Sequence, residues 1–432
     1  MRPKSHRPAG VALAALILLA AGWALTLWVA PWSDQSVNDL FVYRTFAAPV
    51  TGGGLPYRDV AFEYPPLAAP AIALPGLAGT GEETFRIAFA LWTLAAAAAV
   101  VLLCGALARS TGAPTVPARE QPPRRPGGRR AMLAAAAMPL FCGALLRTHF
   151  DLVPVALVLG SLLLLARDRP RAGFAVLGLA VMTKAFPIVI APVAIAWLIA
   201  RGRRRDAWQG ALVWAAVMAA IGGAAVAASP EGALDAVRYH LDRPVQVESS
   251  PALVVLALDA AGAGHAEAVS SFRSDGLLHP AAGALESLFL TALAALVALL
   301  CAMVAGRRGP GPRELVVASL AACAGFALLG KVLSPQYVIW ALPLGALAFA
   351  WRMHALAAAV ALVALLTQIE FPAHYLDVVA REPLAVGLVA ARNIALAAVI
   401  ALSLRELRAA SAHAPRGSDP LRGSDPEFAA TA

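Results

Sequence analysis

Apolar runs of about 15 to 22 residues recur along the whole chain, and about 20 are needed to cross a bilayer as a helix. No water reaches the bilayer core, so each run must satisfy its own backbone N–H and C=O groups, which leaves the α-helix. The sequence therefore predicts an all-α fold, a polytopic membrane helical bundle of about 12 transmembrane helices. The spans fall at 10–31, 84–108, 131–146, 152–166, 171–183, 186–200, 208–228, 285–305, 314–330, 336–351, 355–370 and 384–404. A chain that is 60% hydrophobic and 14% charged lies outside the soluble class. The first run follows basic residues, as a signal peptide does. It is too long for one and has no small-residue cleavage site, so a retained signal-anchor helix is expected.

Orientation follows from the lysines and arginines. Segments on the N-terminal side of the membrane carry 24 of the 35 basic residues but 7 of the 26 acidic ones. Such a bias puts that side, with both termini, in the cytoplasm. It accounts for the net charge of +9 without nucleic acid as a partner. A multi-pass protein of the plasma membrane is expected, its polar loops facing the extracytoplasmic side.

Two segments need separate treatment. Leu67 to Ala78 is apolar, short, and broken by Pro70 and Pro75, so it is expected to lie at the interface rather than cross. A single helix through 171–200 would separate the basic stretches 167–171 and 201–205; a hairpin turning at Lys184 keeps them together, and Pro187 supports a break there. Residues 1–410 then form one transmembrane domain, with outer loops at 31–83 and 229–284. The Pro- and Arg-rich 111–130 segment is expected to be a flexible cytoplasmic loop, and 411–432, which repeats RGSDP, a disordered cytoplasmic tail. Cys104, Cys142, Cys301 and Cys323 all fall in apolar runs without metal-ligand spacing and read as small buried hydrophobes.

The remaining polar residues are concentrated at one side. NDLFVYR (38–44), PYRDVAFEYPP (56–66), RTHFD (147–151), TKAFP (183–187), YHLDRPVQVESS (239–250) and KVLSPQY (331–337) all sit at outer span ends or in outer loops. Polar groups near a bilayer are costly without a partner or a task. Their convergence predicts an outward-facing polar site at the membrane boundary.

These motifs, in this order, resemble those of the polyprenyl-phosphate-mannose-dependent mannosyltransferases of actinobacteria, glycosyltransferase family 87. The resemblance runs from about residue 10 to 404 and rests on DLFVYR, GLPYRDVAFEYPPLA, RTHFD, TKAFP, YHLDRPVQVESSP and LSPQYVIWALPL. It implies a GT-C fold with interfacial helices in the first outer loop, which becomes the catalytic loop. It also implies a polyprenyl-phosphate sugar donor, most simply mannosyl, and an extracytoplasmic glycolipid or glycan acceptor.

In that family a first-loop aspartate is catalytic, and Asp39 stands at the matching position. On the residues alone Asp39 is either a helix N-cap or a base; beside the motif it reads as the general base that takes the acceptor hydroxyl's proton in a single inverting displacement. Tyr43 belongs to the same DLFVYR stretch and is expected at the substrate. Asp59 and Glu63 either orient sugar hydroxyls or hold Arg58. Tyr57 and Tyr64 shape the loop or stack on sugar. Three carboxylates in one loop raise the question of a divalent metal, but no compact ligand spacing is present, so no metal or other cofactor is expected. The Gly52–Gly54 run reads as a turn, because no Lys-Ser/Thr follows it.

A lipid phosphodiester needs cations at the outer boundary. Arg147, Lys184, Arg243 and Lys331 are the candidates; snorkelling, or pairing with Asp151 or Asp242, is the alternative for each. Asp151 is included in the site as such a partner. His149 and His240 either hydrogen-bond phosphate or sugar, or are loop histidines. Some members of the family carry a histidine-containing motif where this chain has SPQYVIW (334–340), with Gln336 and Tyr337 in that region, so no role of that histidine transfers.

Two other functions fit an outer polar face. A transporter or flippase for a lipid-linked sugar should show intramembrane charges and inverted repeats, and neither is evident. A non-catalytic partner in cell-envelope assembly leaves the 39–66 loop unexplained.

Overall fold

The structure is a computed structural model that describes residues 8–110, 127–307 and 309–412. Most of the 111–130 loop and of the 411–432 tail therefore lies outside the described residues.

Helix α1 (Pro8–Trp28) is followed by a polar segment holding α2 (Leu40–Thr51) and α3 (Ala68–Ala73), the latter running into a 3-10 turn at Leu74–Ala78. Next come α4 (Glu82–Ser110), the short series α5 (Gly127–Ala136), α6 (Pro139–Cys142) and α7 (Leu145–Thr148), then α8 (Leu152–Ala166) and α9 (Pro170–Thr183). A 3-10 turn at Phe186–Val189 leads into α10 (Ile190–Ala200), and α11 (Arg204–Ala228) and α12 (Pro230–Asp242) follow. Strand β1 (Val245–Gln246), α13 (Ser250–Ala260), β2 (Glu267–Ser271) and β3 (Ser274–Leu278) form the second polar segment. The chain finishes with α14 (Ala282–Ala305), α15 (Pro312–Leu329), a 3-10 turn at Pro335–Tyr337 into α16 (Val338–Ala350), α17 (His354–Glu370), α18 (Tyr375–Val379) and α19 (Pro383–Ala412). Among the described residues six helices, α1, α4, α11, α14, α15 and α19, are long and apolar enough to cross a membrane; the other apolar helices are shorter.

The turn expected at Lys184 is present: Lys184 is extended, with φ −155° and ψ 138°. Beyond it the chain returns, because Arg201 and Arg203 both pair with Asp168. Trp197 donates to the Gly311 carbonyl at 2.9 Å, so the basic loops 167–171, 201–207 and 306–313 lie at one end of the bundle. The Leu67–Ala78 segment is a short broken helix packed on α2 and α4, fixed by a Trp92 indole N–H to the Ala71 carbonyl at 3.0 Å.

Two local features depart from the sequence reading. The expected 131–146 helix is three pieces. Gly143 has φ +51° and ψ −129°, a conformation that L residues with a side chain avoid. A Cβ there would also lie 2.5 Å from the Gln368 side-chain oxygen and 3.0 Å from Trp32 Cα. The break turns the chain so that α7 presents residues 147–149 to the polar end.

The second is a small antiparallel sheet, ordered β1–β3–β2, in a fold expected to be all-α. Its β2–β3 hairpin turns on Phe272 and Arg273, both at positive φ. The strands are short and β2 is largely exposed, so no clean alternation of apolar and polar residues announces them. Helices α12 and α13 flank β1; each begins at a serine whose Oγ accepts a backbone N–H, Ser229 from Gly232 and Ser249 from Ala252, both at 3.3 Å.

A buried network ties this segment to the bundle. Arg392 of α19 donates to the Glu248 carboxylate at 2.8 Å and its carbonyl at 2.8 Å, and pairs with Glu370 of α17 at 3.3 Å. Replacing Gly143 with alanine should cost about 1–3 kcal/mol through backbone strain alone. Thermal unfolding of the detergent-solubilised protein reads it as a lowered midpoint, and an unchanged midpoint would show that the break is not held by Gly143.

Candidate active site

The site grows from the start of α2. Asp39 occupies the N-cap position, yet its side chain caps nothing. The preceding Asn38 closes a turn over it, its Oδ1 accepting the Leu40 N–H at 2.9 Å. The Asp39 carboxylate instead accepts the Tyr43 hydroxyl at 3.1 Å, one helical turn on, and meets His149 Nε2 at 3.5 Å. About a third of the Asp39 side chain is exposed (34%), while His149 is buried. A carboxylate left out of its cap, and reachable from outside, can accept a proton from a ligand.

Beneath it lies an aromatic floor. Tyr43 stacks on Phe89 at 5.4 Å and meets Phe150 edge-on at 5.6 Å. Tyr64 contacts Tyr43, Phe46, Phe62 and Phe150, each edge to face. Such pairs contribute about 0.5–1.5 kcal/mol each beyond their burial and fix the loop's depth. Burial, with the Asp39 charge beside it, holds the Tyr43 phenol well above its ordinary pKa, and the same two causes act on Tyr64. Both remain hydroxyl donors at neutral pH.

The next wall comes from α8, α9 and α16. Lys184 Nζ pairs with both oxygens of the fully buried Asp151, at 2.7 and 2.8 Å. Trp340 Nε1 donates to the same carboxylate at 2.6 Å and stacks between Phe186 and Tyr337. The Tyr337 ring stacks on Trp340 and has Lys184 Nζ 5.9 Å from its centre, so the 147–151, 183–187 and 331–337 motifs meet here. Gln336 lies half-buried beside it.

The third wall is the 229–284 segment. His240 donates through Nε2 to the Glu63 carbonyl at 2.8 Å, and burial lowers its pKa. Arg243, Lys331 and Lys184 lie close enough to oppose its protonation as well. Arg273, at the hairpin tip, pairs with Glu63 at 3.1 Å. Burial pushes the Glu63 carboxyl up and Arg273 opposes that shift. A Cβ at Gly232 would lie 2.0 Å from the Tyr57 carbonyl oxygen, so α12 sits directly on the first polar segment.

The four candidate cations differ in what they already hold. Arg147 is buried and spends its donors on Thr26 Oγ1 at 2.8 Å and the carbonyls of Trp32 and Ser33, stapling the end of α1. Lys184 is committed to Asp151. Lys331 donates to the Leu241 carbonyl at 2.7 Å and pairs with Glu286 at 3.2 Å. Arg243 forms no ion pair or hydrogen bond among the described residues, and its Nε is buried without a partner. Asp59 is occupied too: Arg58 and the Leu55 N–H bind it, and those hydrogen bonds, Arg58 first, pull its pKa to about 2. The loop's three carboxylates thus have three different sets of partners. Among the described residues no group of three or more metal-ligating side chains occurs.

The sequence reading did not single out Phe150 or Trp340 as parts of the site. Nor did it mark Thr148, whose Oγ1 lies 2.9 Å from His149 Nδ1. Each lies inside a motif that was read, but an apolar ring or a hydroxyl carries no signal apart from its neighbours.

None of the curated proteins compared with the chain matches it. The model of glycosyltransferase family 87 matches residues 62–335. The matched stretch includes Glu63, Tyr64, the 147–151 motif, Lys184, His240, Arg243 and Lys331, and it begins after Asp39. It covers well over half of the chain, with the whole third wall and parts of the others, so the chain belongs to glycosyltransferase family 87 and is a membrane glycosyltransferase.

Proposed function

We propose that this enzyme moves a sugar, mannose, from a polyprenyl-phosphate donor to an extracytoplasmic glycolipid or glycan acceptor, with inversion and with Asp39 as general base. The carrying observation is the Asp39 carboxylate, which caps no backbone N–H, is a third exposed, and belongs to a polar end that also holds an unpaired arginine, Arg243. The acceptor hydroxyl gives its proton to Asp39 as its oxygen bonds to the sugar's C1. The bond from C1 to the phosphate oxygen breaks, and the electron pair leaves on the lipid phosphate. Arg243 meets that charge, with Lys184 and Lys331 behind it. Tyr43 and His149 hold the base in place, and Glu63, Tyr64, Asp151, His240 and Gln336 shape or line the sugar and phosphate sites. No step is assigned to a metal.

In this reading the chain crosses a plasma membrane twelve times, the shorter apolar helices crossing where the bundle shields them. Both termini are cytoplasmic and the site faces out. The charge bias and the grouping of the 167–171, 201–207 and 306–313 loops at one end support this. Nucleotide sugars are made on the other side. A prenyl tail supplies roughly 0.8 kcal/mol for each buried CH₂, so few polar contacts are needed to hold the donor.

The decisive assay offers the reconstituted protein GDP-mannose or polyprenyl-phosphate mannose separately, over a panel of acceptors. Transfer is expected from the lipid donor alone, and transfer from GDP-mannose without a lipid carrier would overturn the reading. Arg243→Gln should raise the KM for the lipid donor roughly tenfold, as loss of a charged hydrogen bond does. Asp39→Asn should lower turnover on the order of 10²-fold or more while donor binding persists. Asp59→Asn, which disturbs only an exposed turn, should leave more than half the activity; the reverse ranking would move the base to Asp59.

Topology has its own test. With the native cysteines replaced, Arg58→Cys should react with an impermeant thiol reagent in intact cells, and Arg205→Cys only after permeabilisation. Labelling at 205 alone would invert the orientation.

A further inference from the structure

We propose that His149 is the proton partner of Asp39: its Nε2 receives the proton that the carboxylate takes from the acceptor hydroxyl. This rests on Asp39 as the base, and the experiment below separates the two.

The hydrogen bonds at the other ring nitrogen set the tautomer. His149 Nδ1 lies 3.2 Å from the Leu145 carbonyl oxygen, which can only accept, so Nδ1 carries a hydrogen. The Thr148 hydroxyl, 2.9 Å from Nδ1, donates its own hydrogen to the Ala144 carbonyl at 2.9 Å, leaving its oxygen to accept from Nδ1 as well. A neutral His149 therefore presents an unprotonated Nε2. That nitrogen faces Asp39 Oδ2 at 3.5 Å. Two acceptors at this separation repel until one proton enters between them, and then they form a charge-assisted hydrogen bond. A histidine that merely fills a core would have Nε2 satisfied by a neutral group. Here the carboxylate is its partner, and His149 is itself buried.

The other titratable groups around this pair are neutral or have partners of their own. From α2, the Tyr43 hydroxyl donates to Asp39 Oδ2 and burial keeps it neutral. From the 56–66 segment, Tyr64 is likewise a neutral phenol, and Glu63 is taken by Arg273. On the histidine's own segment Arg147 turns away to Thr26 and the 32–33 carbonyls, and Asp151 is held by Lys184 and Trp340.

The proton count balances. The acceptor O–H proton passes to Asp39 as the O–C1 bond forms and the C1–phosphate bond breaks. It then moves from the carboxyl to Nε2, leaving an imidazolium beside a carboxylate, and is released to water before the next turnover. His149 is thus a positioning residue that acts through Asp39.

The test uses the full-length protein in nanodiscs, with two readouts. In the first, histidine-selective NMR follows the eight histidines across pH. Asp39→Asn should alter the titration of one signal, the one missing in His149→Gln, and leave the rest. If no histidine signal responds to Asp39→Asn, the pairing is wrong, whatever the donor.

In the second, turnover of the wild type on polyprenyl-phosphate mannose should fall as pH is lowered through about 8 to 5, where an imidazole takes up its proton. His149→Gln should lower kcat on the order of 10²-fold, leave the KM for the donor unchanged, and remove that acid limb. A wild-type profile flat down to pH 5 overturns the proposal without any variant, as does a His149→Gln profile that keeps the limb. Full turnover in Asp39→Asn would instead remove Asp39 as base, and the NMR response would still report the pair.

Discussion

The ion pair between Lys184 and Asp151 is the contact on which the site's other positions depend. Asp151 starts α8, Lys184 ends α9, and Trp340 of α16 completes the carboxylate's bonding. Taking both charges out of water is expensive, and the pair survives because its distances are short and a third donor is added. Removing either partner would leave a buried charge unmatched, at a cost of about 3–5 kcal/mol. Three helices are therefore fixed against one another at the polar end. His149 stands two residues before Asp151, and Tyr337 stacks on Trp340, so both inherit their places from this pair.

Much of this arrangement was legible in the sequence because a bilayer permits few solutions. An apolar run must be a helix, and charge must collect at its ends. That reasoning located the turn at Lys184, the short helix at 67–78 and the motifs that meet around Tyr337. It failed where geometry is set by single contacts between distant segments. The break at Gly143 depends on Gln368 and Trp32 standing where a Cβ would be, and neither is near in sequence. Arg147 and Arg243 look alike as outer cations, yet one is spent on backbone carbonyls and the other has no partner among the described residues. Arg392 falls inside an apolar run and Glu370 at the end of one, against the expectation of no intramembrane charge, and the sequence offers no hint that both Glu370 and Glu248 will meet the guanidinium. The sheet is invisible for another reason: β1 is two residues long, β2 is largely exposed, and β3 buries two adjacent residues, so none shows the alternation of a half-buried strand.

The role of Asp39 turned on a distinction that sequence could state but not settle. An aspartate just before an apolar helical stretch is an ordinary N-cap, and a base needs the same position at a loop's mouth. In the structure the Asp39 carboxylate makes no cap and meets Tyr43 and His149 instead, contacts that no local sequence signal carries.

The first polar segment also owes its position to residues far along the chain. Glu63 is held by Arg273 through its side chain and by His240 through its carbonyl, and Tyr57 is covered by the start of α12. Those partners lie about 175 to 210 residues away in sequence. Closing such long loops costs entropy slowly with length, so the separation itself is tolerable. Its consequence is that the depth of the Asp39-bearing segment is set by the hairpin and α12 and not by its neighbours in sequence. Helix α12 runs directly from the Tyr57 contact to Arg243, so the same contacts relate the Asp39 side of the site to the Arg243 side. A loop fixed only by its neighbours in sequence would leave those two sides free to vary. Joining them through Glu63 makes the spacing between Asp39 and Arg243 a property of the two polar segments together.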